Sequence, residues 1–194
     1  LFFLALHNPE LQGVDPHSPD LTIKQMTDIS VEGRINPWYF FREVARAPAQ
    51  AGSESKPIQF NRSHVSLWWC FFNHIFFILS QPRQTGKSFN TDMLMTELMN
   101  FYCNNSQINL MTKDDMLRRT NIDRLKNIYD ELPDYLKLKT RNDTNNTEEI
   151  TIKAMGNVYK THVPQASEKN AYKLGRGLTT PIFQIDEGPF QPNI

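Results

Sequence analysis

The chain has 194 residues, enough for one domain or slightly more. Its 21 basic and 21 acidic side chains cancel, while 39% of residues are hydrophobic and 22% charged. That balance excludes collagen-like, coiled-coil and wholly disordered classes. It also argues against a protein that condenses DNA through bulk charge, while leaving a local basic track open. The first residue is Leu1, and Gln191, Pro192, Asn193 and Ile194 stop where a loop should continue, so the expectation is a fragment of a longer chain.

Two cysteines, Cys70 and Cys103, are too few for a disulfide framework and are expected as reduced thiols in a reducing cytosol. The sequons at Asn61, Asn104, Asn142 and Asn145 then carry no expected glycan. His7, His17, His64, His74 and His162 show no zinc-ligand spacing, and no zinc site is expected.

Residues 1–35 read as mixed, with turn signals at Asn8-Pro9, Asp15-Pro16 and Ser18-Pro19. Asn36-Pro37 reads as a helix cap followed by proline at the first helical position. That helix carries Trp38, Tyr39, Phe40, Phe41 and Val44, whose spacing predicts core packing rather than a base-stacking platform. Residues 47–57 are small, polar and proline-bounded, the composition of a linker or surface loop. No internal repeat is visible.

From residue 58 the pattern changes to alternating helix and strand signals. Residues 65–79 are apolar but broken by Asn73 and His74, and fall short of the roughly 18 apolar residues of a membrane span. They read as a buried helix, a polar joint, and a strand over 75–79 that is buried on both faces. Helices are expected over 88–103 and 114–131, and a strand over 107–111. A hairpin is expected over 149–163 around Met155-Gly156-Asn157, and a last strand over 181–185. Strands alternating with helices imply a three-layer α/β fold with a mainly parallel sheet.

Between the predicted strand at 75–79 and the next helix lies Gln81-Pro82-Arg83-Gln84-Thr85-Gly86-Lys87-Ser88. It resembles a Walker A loop, in which a tight turn aims backbone N–H groups at phosphates and the helix N-terminus adds a positive dipole end. Lys87 is the expected partner of the β and γ phosphates, and the Ser88 hydroxyl the expected Mg²⁺ ligand. The first position of the usual pattern is Gln81 rather than glycine, which points away from generic GTPases and kinases. Further on, Ile182-Phe183-Gln184-Ile185-Asp186-Glu187 looks like a Walker B strand carrying an acidic pair to its end, with Asp186 the expected metal ligand.

Taken with the segments around them, these motifs resemble the large terminase subunit, the DNA-packaging motor of tailed phages. The likeness rests on the Pro82–Ser88 loop and on Leu132-Pro133-Asp134-Tyr135-Leu136 after a long helix. Further support comes from Gln165-Ala166-Ser167 after the hairpin, and from Gly175-Arg176-Gly177 before the Walker B strand. The most specific segment is Asp186-Glu187-Gly188-Pro189-Phe190-Gln191-Pro192-Asn193. The likeness covers about residues 57–194.

The resemblance implies a P-loop NTPase fold, three-layered with a mainly parallel sheet, of the additional-strand class with a catalytic glutamate. Residues 1–56 would form a small, mostly helical leading segment, and 57–194 an ATPase core truncated after Walker B, without the nuclease domain. It implies ATP and Mg²⁺ as cofactors, Glu187 as the base that polarises the attacking water, and Arg83 as the cis arginine stabilising the transferred phosphoryl group. The loop residues Gln81, Pro82, Gln84, Thr85 and Gly86 would cradle the nucleotide, with Gln59, or alternatively Asn61, contacting adenine. Its implied partners are double-stranded viral DNA, a portal protein, the small terminase subunit and further copies in a ring on the procapsid. The implied place is the cytoplasm of an infected bacterium, not a membrane. A helicase-like P-loop ATPase and a nucleotide- or DNA-binding prophage remnant are the alternatives. Residues 113–141 carry eight basic and six acidic residues, little support for a DNA groove.

Overall fold

The computed structural model describes residues 5–48, 54–58, 60–82, 85–163 and 180–186. In chain order the helices are α1 (Ile23–Ile35), α2 (Pro37–Tyr39), α3 (Arg62–Phe72), α4 (Lys87–Glu97) and α5 (Asp115–Asp130). The strands are β1 (Arg46–Ala47), β2 (Lys56–Pro57), β3 (Gln107–Met111), β4 (Glu149–Ile152), β5 (Asn157–His162) and β6 (Ile182–Ile185). The molecule divides into two compact units, one of Leu1–Glu97 with Asn127–Lys137, the other of Leu98–Lys126 with Leu138–Ile194.

In the first unit, α1 occupies part of the stretch that the sequence reading leaves mixed. Its start carries a capping box: Thr22 accepts from the Gln25 N–H while the Gln25 side chain accepts from the Thr22 N–H. The apolar pattern hides this helix, because Ile29 is buried but Ile23, Val31 and Ile35 are exposed. Buried Glu32 accepts from the His7 and Asn8 N–H groups and from Asn36 Nδ2, tying the leading segment to the end of α1. Burial raises the carboxyl of Glu32, but these hydrogen bonds outweigh it and hold it below its ordinary value.

Asn36 caps α2 and Pro37 opens it, as the sequence predicts; a π-helical turn at Phe40–Val44 follows. The aromatic residues here are core. Phe41 stacks on Trp68 of α3 at 3.8 Å between ring centroids and 7° between planes, and Trp38 and Phe60 meet Trp68 edge-on. The expected linker is closed at its base by β1 and β2, which pair antiparallel.

The second unit holds a four-stranded sheet in the order β4-β5-β3-β6. β3 runs parallel to both β5 and β6, and β4 lies antiparallel on the outer side of β5. The fold is therefore mixed α/β around a mostly parallel sheet, as the alternating signals predict. Central β3 is buried from Ile108 to Met111, the pattern of a strand covered on both faces, whereas β6 alternates half-buried and exposed residues. The predicted hairpin forms, with Gly156 left-handed at φ 68°. Asn157 anchors it: Nδ2 donates to the Met99 and Cys103 carbonyls and Oδ1 accepts from the Ser106 N–H.

One predicted strand is absent. Residues 75–79 are irregular and pair with no strand among the described residues; Phe76 and Ile78 are 92% and 88% exposed. Apolarity and β propensity are local properties, but a strand also needs a neighbour offering unpaired N–H and C=O groups. The ladder on β3 is taken instead by β5 and β6. The preceding helix and joint do form, with Asn73 Nδ2 donating to the Trp69 carbonyl and His74 left-handed at φ 57°.

Candidate functional site

The glycine-lysine-serine triplet opens α4. Gly86 adopts φ 77°, a conformation that L side chains rarely take, and its carbonyl accepts the Asn90 N–H as the helix begins. Lys87 and Ser88 are half-buried in the first turn, where unpaired backbone N–H groups and the helix dipole favour an anion. Upstream, the Thr85 hydroxyl donates to the Pro82 carbonyl at 2.9 Å and faces Gln81 Oε1 at 3.4 Å, which closes the turn. Gly86, Lys87 and Ser88 thus lie at a turn-to-helix junction, while the strand expected before the loop, over 75–79, does not form. Arg83 and Gln84 lie outside the described residues.

One neighbour of this loop is not singled out by the sequence reading. A Cβ placed on Gly86 would stand 3.6 Å from Nε2 of buried His64. Asn61 orients that histidine twice, accepting its backbone N–H through Oδ1 at 2.9 Å and donating to Nε2 through Nδ2 at 3.2 Å. Asn61, the alternative adenine contact, is thereby engaged as the cap of α3, and Gln59 lies outside the described residues. The available sequence signal is Asn61 three residues before His64, an N-cap pattern that fixes where α3 begins.

Asp186 directly follows β6, at the carboxyl end of the parallel strands, the end at which open α/β sheets bind ligands. Its N–H donates to the Met111 carbonyl at 2.9 Å, extending the β3–β6 ladder by one residue. One carboxylate oxygen accepts from Asn121 Nδ2 of α5 at 3.1 Å. His162 closes β5 at the same sheet end, its Nε2 2.9 Å from Asn109 Oδ1; burial, then the charge of Lys160, lowers its pKa. Glu187, the predicted base, lies outside the described residues, as do the segments around Gln165, Gly175 and Gly188.

Mg²⁺ held with a nucleotide takes one or two protein oxygens and completes its shell with phosphate and water; the Ser88 hydroxyl in the first unit and the Asp186 carboxylate in the second are each oxygen donors of that kind. Among the described residues no three His, Cys, Asp or Glu side chains cluster as a metal site, and no helix is long and apolar enough to cross a membrane. No family model matches this sequence, and no curated protein matches it significantly.

Proposed function

We propose that this chain is the ATPase region of a motor of the phage large-terminase kind, with a P-loop NTPase fold of the additional-strand class. The observation that carries the reading is Gly86 at φ 77° followed at once by a helix that opens with Lys87 and Ser88. A left-handed glycine at that point turns the backbone so that successive N–H groups can converge on an anion. Asp186 at the carboxyl end of a parallel strand supports it, since the carboxylate is offered at the ligand-binding end of the sheet.

In this reading Lys87 supplies a point charge to the β and γ phosphates, while the Gly86 turn and the first turn of α4 orient them. Ser88 and Asp186 are the magnesium ligands. Bound Mg²⁺ supplies charge neutralisation on the phosphate oxygens. Glu187 accepts a proton from the attacking water, and Arg83 places a second positive charge beside the transferred group. Hydrolysis is coupled to translocation of double-stranded viral DNA. Further copies of the chain, a portal protein and a small terminase subunit are the proposed partners, in the cytoplasm of an infected bacterium.

The test, made in the full-length protein, separates the two adjacent acids. Glu187→Gln keeps size and hydrogen bonding but removes the base, so Mg·ATP binding should persist while single-turnover hydrolysis falls by on the order of 10² to 10⁴. Asp186→Asn should instead weaken the magnesium dependence of binding. Parental hydrolysis in Glu187→Gln would remove Glu187 from the mechanism, and unchanged metal dependence in Asp186→Asn would remove Asp186.

A further inference from the structure

We infer that Asn121 is a positioning residue for the Asp186 carboxylate, with Arg124 fixing the orientation of its amide. The inference rests on the reading of Asp186 as a magnesium ligand. Asn121 lies on α5 and is 1% exposed, beside the apolar Ile122 and near Leu125 of the same helix. A buried amide costs stability unless its polar atoms are bonded, so packing alone is better served by leucine at this position. Both ends of this amide are bonded. Nδ2 donates to Asp186 Oδ2 at 3.1 Å, and an Arg124 guanidinium N–H donates to Oδ1.

The order of these two bonds is forced by chemistry. A guanidinium has donors only, so the amide oxygen must face Arg124 and the amide nitrogen must face Asp186. Arg124 stands three residues further along α5, the spacing at which helical side chains meet. Without it the amide is free to turn over and present its oxygen to the carboxylate, which repels it. Asp186 is thus held from two directions: its backbone by the Met111 carbonyl and its side chain by Asn121. A carboxylate held in one rotamer meets a metal ion without first being ordered, and groups that orient a ligand in this way are typically worth about 10- to 100-fold in metal affinity or activity.

The experiment is made in the full-length protein and compares the parent with Asn121→Leu, Arg124→Ala and Asp186→Asn. Two quantities are read for each: the Mg²⁺ concentration giving half-maximal ATP hydrolysis, and ATP affinity in the presence of EDTA. Asn121→Leu keeps the side-chain volume and removes the donor. It should raise the half-maximal Mg²⁺ concentration about 10- to 100-fold with metal-free affinity unchanged. Arg124→Ala should shift it in the same direction by less, because the amide can still bond Asp186 part of the time. If both variants titrate Mg²⁺ like the parent while Asp186→Asn does not, the inference is overturned and the metal role of Asp186 stands. If Asp186→Asn also titrates like the parent, that role fails and takes this inference with it. If circular dichroism shows that Asn121→Leu does not fold, Arg124→Ala, at a half-buried position, decides by the same two readings.

Discussion

Glu97 ends α4 fully buried, and neither carboxylate oxygen has a hydrogen-bond partner among the described residues. Burial pushes its carboxyl well above the ordinary value, because ionisation there would leave an unpaired charge away from water. The unfolded chain releases this proton near the ordinary glutamate value and the folded chain keeps it, so stability is full below that value and declines as pH rises toward the folded pKa. Glu97→Gln removes the titration and keeps the shape. It should match the parent near pH 4 and gain on it as pH rises, approaching about 1.4 kcal/mol per pH unit over the window between the two values. Urea unfolding of both proteins from pH 4 to 8 checks this, and parallel curves would show that Glu97 ionises in the folded state. Asp143 shows the opposite balance. Burial opposes its charge, but hydrogen bonds from the Thr140 and Lys153 N–H groups and the Thr140 and Thr151 hydroxyls hold its carboxyl below the ordinary value.

At the scale of elements, α3 is joined to α2 and the π-helical turn by aromatic faces. Trp68 is 0% exposed, stacks on Phe41, and donates Nε1–H toward the Asn90 carbonyl in α4 at 3.5 Å. Trp68→Ala therefore leaves a large cavity where three elements of one unit meet, and should cost about 3–5 kcal/mol. Trp68→Phe keeps a ring in contact with Phe41 and should cost much less. Chemical denaturation reads both, and a small loss in Trp68→Ala would mean that the unit collapses around the gap. The placement of these elements is legible to different degrees. α2 is announced by Asn36-Pro37, because a side-chain cap and a proline act locally. β3 is announced by Ile108, Leu110 and Met111 within 107–111, and the strand forms over those residues. Residues 75–79 make a more apolar run, yet no ladder among the described residues recruits them.

For the molecule as a whole, the proposed nucleotide links binding to stability. A ligand that binds only the folded chain should raise its unfolding free energy by about 2.7 kcal/mol at a hundredfold excess over Kd. Mg·ATP should therefore raise the thermal midpoint of the parent chain and leave that of Lys87→Ala nearly unmoved, since the substitution removes the charge proposed to face the phosphates but not the fold. Thermal scans with and without Mg·ATP make the comparison. An equal shift in both proteins would place the nucleotide elsewhere than at the α4 N-terminus.

Features whose causes are local in the chain were legible from residues alone: the cap of α2, the Gly86 turn before Lys87, the hairpin around Gly156, and the acid after an apolar strand. Each depends on a backbone conformation or hydrogen bond spanning a few residues, so composition and spacing carry it. Which apolar runs became strands was set by long-range pairing, because strands compete for distant partners. β5 and β6 flank β3, whereas Ile75, Phe76 and Ile78 are exposed. Long-range packing also set the surroundings of the motif residues. His64 reaches Gly86 from 22 positions away, and Asn121 reaches Asp186 from 65 positions away. No periodicity encodes such contacts. They exist because α3 and α4 share one core and α5 packs where the β3–β6 ladder ends.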